Sequence, residues 1–497
     1  MPTARDRGRV GALAGALLLA CAVLTAAASG AGHASGRAAL AGEAEQSGVA
    51  LGLRIGGGKG QRVSICGRRR RATVVTQGAR ASARAVAGRY RRRALRRPAP
   101  ARRARVLVLR VRRCGPNSAR SSVLAERRLG GGRAALRAPL PTRAVADYRV
   151  TAEIRRGRRG PVRTRRRAYL RVRDAVIDLP VSFTVSNVNR SRLACQSDGR
   201  TYTIAGRLVA PRTLLRQPSP AATLHLHEFG WGRFFWQFPE RGHDYAREQA
   251  RAGHASVVID RLGYDASSHP PGLDTCLGAQ ADIAHQLVEQ LRSGSYASEG
   301  FSPVPFRRVV LAGHSGGGAI AELEAYSFGD IDGLILFAYA DQGFTMRSLQ
   351  EANEQGLACT AGGEPAEPGE PGGYAYFAQT ADEWKSFMFT SASSSVAAAA
   401  AAMRNRDPCG DISSFTPAVS LNNLSVREID TPALLLYGTA DAIYEQPAAG
   451  EQQRQLFSGS DDVTVRFLEG AGHALTLERA APELRRVVAD WLSRRGF

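Results

Sequence analysis

Two patterns of hydrophobic and polar residues divide the chain. From about Ala44 to Arg173, short runs alternate apolar and polar positions: Gln61–Cys66, Arg105–Arg112, Tyr148–Ile154 and Arg167–Arg173. A period of two places the aliphatic side chains on a core face and the arginines on a solvent face. Gly, Pro and Arg clusters separate the runs, which predicts a small β-sandwich, loosely immunoglobulin-like although it lacks the strand-C tryptophan. Pro98 and Pro100 interrupt the Arg-rich stretch from Arg89 to Arg103, which predicts a loop there.

After Asp174 the pattern changes. Apolar runs at Leu224–His227, Ala255–Asp260, Arg308–Ala312, Leu334–Ala338, Ala433–Tyr437 and Val463–Phe467 read as strands. Between them, Tyr245–Ala252, Gly278–Arg292 and a final stretch from Pro482 to Leu492 carry apolar residues at helical spacing. Strands alternating with helices predict a mostly parallel sheet covered on both faces. A segment of about 340–430 interrupts the alternation. It holds a Gly/Pro/Glu-rich loop from Gly362 to Gly373 and the alanine tract Ala397–Ala402, and it reads as a lid. The expected organisation is an all-β domain over 44–173 followed by an α/β domain over 174–497.

The N-terminus reads as an export signal over 1–31. Arg5, Arg7 and Arg9 precede an apolar run from Val10 to about Ala28, and Ala28–Ala31 are small enough for signal peptidase. Leu18–Cys21 weakly resembles a lipoprotein cleavage site, but apolar residues follow Cys21. The expectation is a secreted or envelope-associated protein, with an anchor at Cys21 as the minor alternative. Cleavage would leave six cysteines, an even number suited to disulfides in an exported chain. Fifteen pairings are possible. Chain order suggests Cys66–Cys114, Cys195–Cys276 and Cys359–Cys409, and no pair has zinc-site spacing.

Charge sharpens the division. Residues 51–173 carry 37 Arg and one Lys against three acids, a balance of +35, while the whole chain carries +24. A GC-rich coding sequence explains Arg over Lys but not the scarcity of acids in one region. A basic exported domain would attract an anionic envelope polymer or phospholipid. No nucleic-acid-binding signature accompanies the charge, so nucleic acid is the weaker candidate. Otherwise the region is a solvated spacer.

The strongest chemical signal is Gly313-His314-Ser315-Gly316-Gly317, which follows a predicted strand and precedes the helix-forming run Ala319–Ala325. A serine on such a turn is held exposed over the sheet edge, close to the positive end of the helix dipole. It needs a base, and His473 stands after the last strand. The base needs a carboxylate, and Asp441 stands after the Ala433–Tyr437 strand. Asp341, also after a strand, is the alternative acid. His225 and His227 alternate on one strand without an evident carboxylate partner, which argues against a metal pair. Asp461 and Asp462 suit a solvated loop, and His254 and His285 suit structural roles. The aromatic cluster Trp231–Trp236 suits an acyl pocket or an ordinary core equally.

With these residues in view, the chain from about Pro180 to Phe497 resembles the α/β-hydrolase family. The resemblance rests on Leu226–Gly232, Asp260–Ser267, Gly313–Gly317 and the Asp441/His473 pair, in the order Ser, Asp, His. It implies an α/β-hydrolase fold with Ser315, Asp441 and His473 as the triad, and the amides of Gly316 and Phe229 as oxyanion donors. Glu228 stands where relatives often carry Gly. The implied activity is cleavage of a small-molecule or lipid carboxylic ester through an acyl-enzyme, with no cofactor or metal. Amide or thioester cleavage on the same triad is an alternative, and so is an envelope-binding role with the hydrolase unit inactive or secondary. Ser315 argues against dehalogenase and epoxide hydrolase chemistry, which needs Asp at that position.

Overall fold

The computed structural model describes residues 49–75, 79–87, 90–91, 94–95, 105–114, 122–130, 133–140, 146–157 and 160–497. The expected export signal lies outside them, as does most of Arg89–Arg103, within which Tyr90–Arg91 pairs with Ala94–Leu95. Among the described residues no helix is long and apolar enough to cross a membrane.

The N-terminal region is all β. Strands Val49–Gly56, Arg80–Ala87 and Arg133–Pro139 form one antiparallel sheet. A second, six-stranded sheet runs in the order Lys59–Ile65, Arg68–Val75, Val162–Val172, Ala146–Arg156, Arg105–Arg113, Ser122–Arg128. The inward faces share one core, with Ala81, Ala83 and Ala85 from the small sheet and Leu107, Leu109, Val150, Ile154 and Leu170 from the large one. The Cys66–Cys114 disulfide is present, as are Cys195–Cys276 and Cys359–Cys409.

A nine-stranded sheet with its own core forms the rest. Its order is Ala297–Ser298, Val176–Ser186, Thr201–Pro211, Ala255–Ile259, Ala221–Leu226, Arg308–His314, Gly333–Phe337, Ala433–Gly438, Val463–Leu468. From Ala255–Ile259 to Val463–Leu468 neighbours run parallel, and the hairpin 176–211 pairs antiparallel at one side. Central strands are buried along their whole length, as continuous apolar runs require when helices cover both faces. The 340–430 insertion folds as helices Met346–Thr360, Ala381–Met388, Ser394–Ala402 and Cys409–Ser425. The alanine tract buries one face, at Val396, Ala400 and Ala401.

Candidate active site

Ser315 sits on a sharp turn between the Arg308–His314 strand and the Gly316–Phe328 helix. Its backbone is at φ 47° and ψ −116°, outside the regions an L-residue ordinarily occupies. The turn is over-determined by its neighbours. Ser315 N–H donates to the Phe337 carbonyl at 2.9 Å, and the Ser315 carbonyl accepts from the Gly318 and Ala319 amides at 2.6 and 3.1 Å. A Cβ on Gly313 would lie 2.1 Å from the Gly317 carbonyl oxygen, and one on Gly317 would lie 2.6 Å from that of Leu226. Both flanking glycines are therefore demanded by backbone contact. A Cβ on Gly316 would meet the Phe229 ring at 3.0 Å, so the Phe229 loop closes over the start of the helix. The Gly316 amide opens the helix and has no partner inside it.

His473 Nδ1 lies 3.0 and 2.9 Å from the two Asp441 carboxylate oxygens, and both side chains are fully buried. Asp441 also accepts the Ile443 amide at 2.8 Å. The His473 carbonyl is 3.0 Å from Nε2 of His314, which ties the histidine loop to the residue preceding Ser315. Asp341 faces elsewhere. It takes the Tyr339 hydroxyl at 2.6 Å and the Gln453 amide at 2.8 Å. The geometry thus brings Asp441, and not Asp341, to His473.

Glu228 is the residue whose placement sequence reasoning missed. Its carboxylate turns into the site, with Oε2 at 2.9 Å from His314 Nδ1 and 3.1 Å from His473 Nε2. These are ion-pair distances without hydrogen-bond alignment. Burial disfavours charge on both groups, yet opposite charges prevail. Asp441 and Glu228 raise His473 to about 10, and His473 with His314 lowers Glu228 to about 2. The departure from Gly at this position was the only signal in the sequence.

The loop that carries Glu228 is clamped from beneath. His227 Nδ1 donates to the Glu228 carbonyl at 2.8 Å, and Nε2 accepts the Arg261 amide at 3.0 Å. Burial, then the nearby Arg261 charge, holds the His227 ring far below its ordinary range, so it stays neutral. Arg261 reaches the His227 carbonyl at 3.0 Å and Asp411 at 2.9 Å, as a fully buried ion pair with a lid helix. A second lid carboxylate, Asp407, accepts the Gly230 amide at 2.5 Å, the Tyr264 hydroxyl at 3.0 Å and the Gln355 amide at 2.8 Å. Two acids of the insertion thereby fix the proposed oxyanion loop.

The remaining candidates are structural. His225 is buried between Trp236 and Tyr245, and burial pulls it down to about 3. With both nitrogens of His227 engaged, the two do not form a metal pair. His254 contacts Phe497 and Ser493, and His285 contacts Asp330. Asp462 pairs with Arg495. Trp231, Phe235 and Trp236 are fully buried, and Trp231 packs on Trp384. They are core residues, and Phe235 stacks face-on against His314 at 4.1 Å.

The sheet order, the serine turn and the succession Ser315, Asp441, His473 agree with a family model described as alpha/beta hydrolase family, which matches residues 223–487. The chain belongs to that family. Solved structures are similar to it at low identity. An esterase from Thermogutta terrifontis is 18% identical, with a TM-score of 0.44 over 63% of this chain and 98% of that one. A hydrolase from Pseudomonas aeruginosa PA01 is 17% identical, with a TM-score of 0.43 over 62% and 99%. The enol-lactonase from Burkholderia xenovorans LB400 is 16% identical, with a TM-score of 0.40 over 59% and 97%. Comparison with curated protein sequences finds no match.

Proposed function

We propose that this α/β hydrolase cleaves carboxylic esters through an acyl-enzyme on Ser315. One observation carries the reading: a buried Asp441–His473 pair, tied through His314 to a serine held at positive φ between two obligatory glycines. Ser315 Oγ attacks the ester carbonyl while His473 Nε2 takes its proton. The Gly316 and Phe229 amides receive the developing oxyanion, each contributing about 10²–10³ in rate. His473 returns the proton to the leaving alkoxide, and water then releases the acid by the same steps in reverse order. Asp441 holds Nδ1–H and stabilises the imidazolium. His473 must be neutral to act as base. Because Asp441 and Glu228 hold its proton to about 10, the rate is expected to rise as pH increases through the alkaline range. Amide and thioester cleavage use the same groups.

The test is labelling by a fluorophosphonate probe, followed by an ester chain-length screen. Labelling of the folded protein that Ser315→Ala and His473→Ala both abolish is the expected result. Absence of labelling in folded wild type would sink the triad reading.

A second reading concerns the basic region, which we take as a separate domain of an exported protein. The outward face of its six-stranded sheet presents Arg110, Arg155, Arg165 and Arg171, with Glu153 and Asp147 paired among them. The surplus of arginine suits an anionic envelope polymer or phospholipid surface. The lead experiment is co-sedimentation with teichoic acid across a salt series, where binding must fall as salt rises.

A further inference from the structure

Three side-chain atoms at this site are gathered together. Glu228 Oε2, His314 Nδ1 and His473 Nε2 lie within 4.8 Å of one another, all buried and all without an aligned hydrogen-bond partner. The opposite nitrogen of each ring is engaged. His473 Nδ1 faces the Asp441 carboxylate and His314 Nε2 faces the His473 carbonyl. Both partners are acceptors only, so those nitrogens carry the ring protons. The remaining nitrogen of each ring faces one carboxylate oxygen. A cation among them would take the place of the proton on His473 Nε2, as metal binding at a histidine releases a proton.

We propose that Glu228, His314 and His473 form a binding site for a divalent transition metal of the zinc class. Two imidazoles and a carboxylate are an established zinc donor set. Zinc binds nitrogen and oxygen at about 2.0–2.2 Å, which places tetrahedral ligands about 3.3 Å apart. The carboxylate oxygen already stands 2.9 and 3.1 Å from the two nitrogens, and all three atoms lie within 4.8 Å of one another, so side-chain adjustment within the cluster brings them to that spacing. The outer partners also fit. Metal-binding histidines characteristically donate their other N–H to a carboxylate or a backbone carbonyl, and here one ring does each. Phe235 stacked on His314 and Tyr444 stacked beside His473 hold the rings in place. Three protein ligands leave a fourth position for solvent.

The metal would occupy the His473 electron pair that the proposed reaction uses to deprotonate Ser315. Metal and general base therefore exclude one another, and the ion acts as a reversible inhibitor. That consequence rests on the triad reading, whereas binding itself does not.

The experiment titrates the metal-stripped full chain with zinc by calorimetry and with cobalt by visible absorption, beside probe labelling. Wild type should bind one zinc and give the intense absorption of tetrahedral cobalt. Zinc should suppress labelling and a chelator should restore it. Glu228→Gln and His314→Gln should each weaken zinc binding at least tenfold while melting cooperatively. Ser315→Ala should bind zinc as wild type does, because the serine is not a ligand. Zinc binding without labelling of metal-free wild type would uphold the site and sink the triad. Labelling indifferent to zinc, or a folded Glu228→Gln that binds zinc as tightly as wild type, would overturn the metal proposal.

Discussion

The two regions bury very different interiors. In the basic β region the core is aliphatic, rich in alanine, and Glu153 is the only buried charged residue among the described ones. Its arginines lie toward the surface, and Arg110, Arg155 and Arg165 gather around that glutamate. The hydrolase region instead buries Glu228, Asp260, Arg261, Asp282, His314, Asp341, Asp407, Asp411 and His473. Burying a charge is costly unless it is paired and hydrogen-bonded. Several of these groups converge on Ser315 and on the loop facing it. Concentrated buried charge marks where the molecule does chemistry, and peripheral charge marks where it meets solvent or a partner.

Variants in the two regions test this contrast. The largest effect belongs to the reacting atom: Ser315→Ala should lower kcat by ~10⁴-fold or more with the melting temperature nearly unchanged. Next is Asp411→Ala, which strands Arg261 in the interior. It should cost about 3–5 kcal/mol in denaturant unfolding, and a loss under 1 kcal/mol would refute the view that the lid ion pair holds the fold. Glu228→Gln removes one of the two charges that raise His473. The base then becomes neutral at lower pH, and the rising limb of the pH–rate profile should move down by about 1–3 pH units. A limb that stays in place would separate Glu228 from the base. Glu153→Ala in the basic region should cost less, about 1–2 kcal/mol, since the arginines it leaves behind keep part of their side chains in solvent, whereas Arg261 has none. A loss as large as that of Asp411→Ala would erase the distinction between the regions.

Much of the fold was legible because it is written in local period. Each predicted strand after Asp174 is present within a few residues, and helix Tyr245–Ala252 has the expected ends, with Asp244 capping it and Gly253 in the left-handed conformation. Other elements were hidden. Arg68–Val75 begins with four arginines and reads as a charge run, yet it pairs along its length with Lys59–Ile65. The Val176–Ser186 and Thr201–Pro211 pair is joined by a long connection, so no tight turn announces it.

The sequence by itself determined the two patterns, the serine turn and the order Ser315, Asp441, His473. Periodicity and glycine demands act over a few residues, and three motifs in a known order constrain one another. Tertiary structure alone decided between Asp441 and Asp341, turned Glu228 onto two imidazoles, and joined Arg261 to Asp411 across 150 positions of chain. Those choices depend on which loops meet above the sheet. A buried charge takes the partner that the fold brings within reach, and no local pattern records that distance.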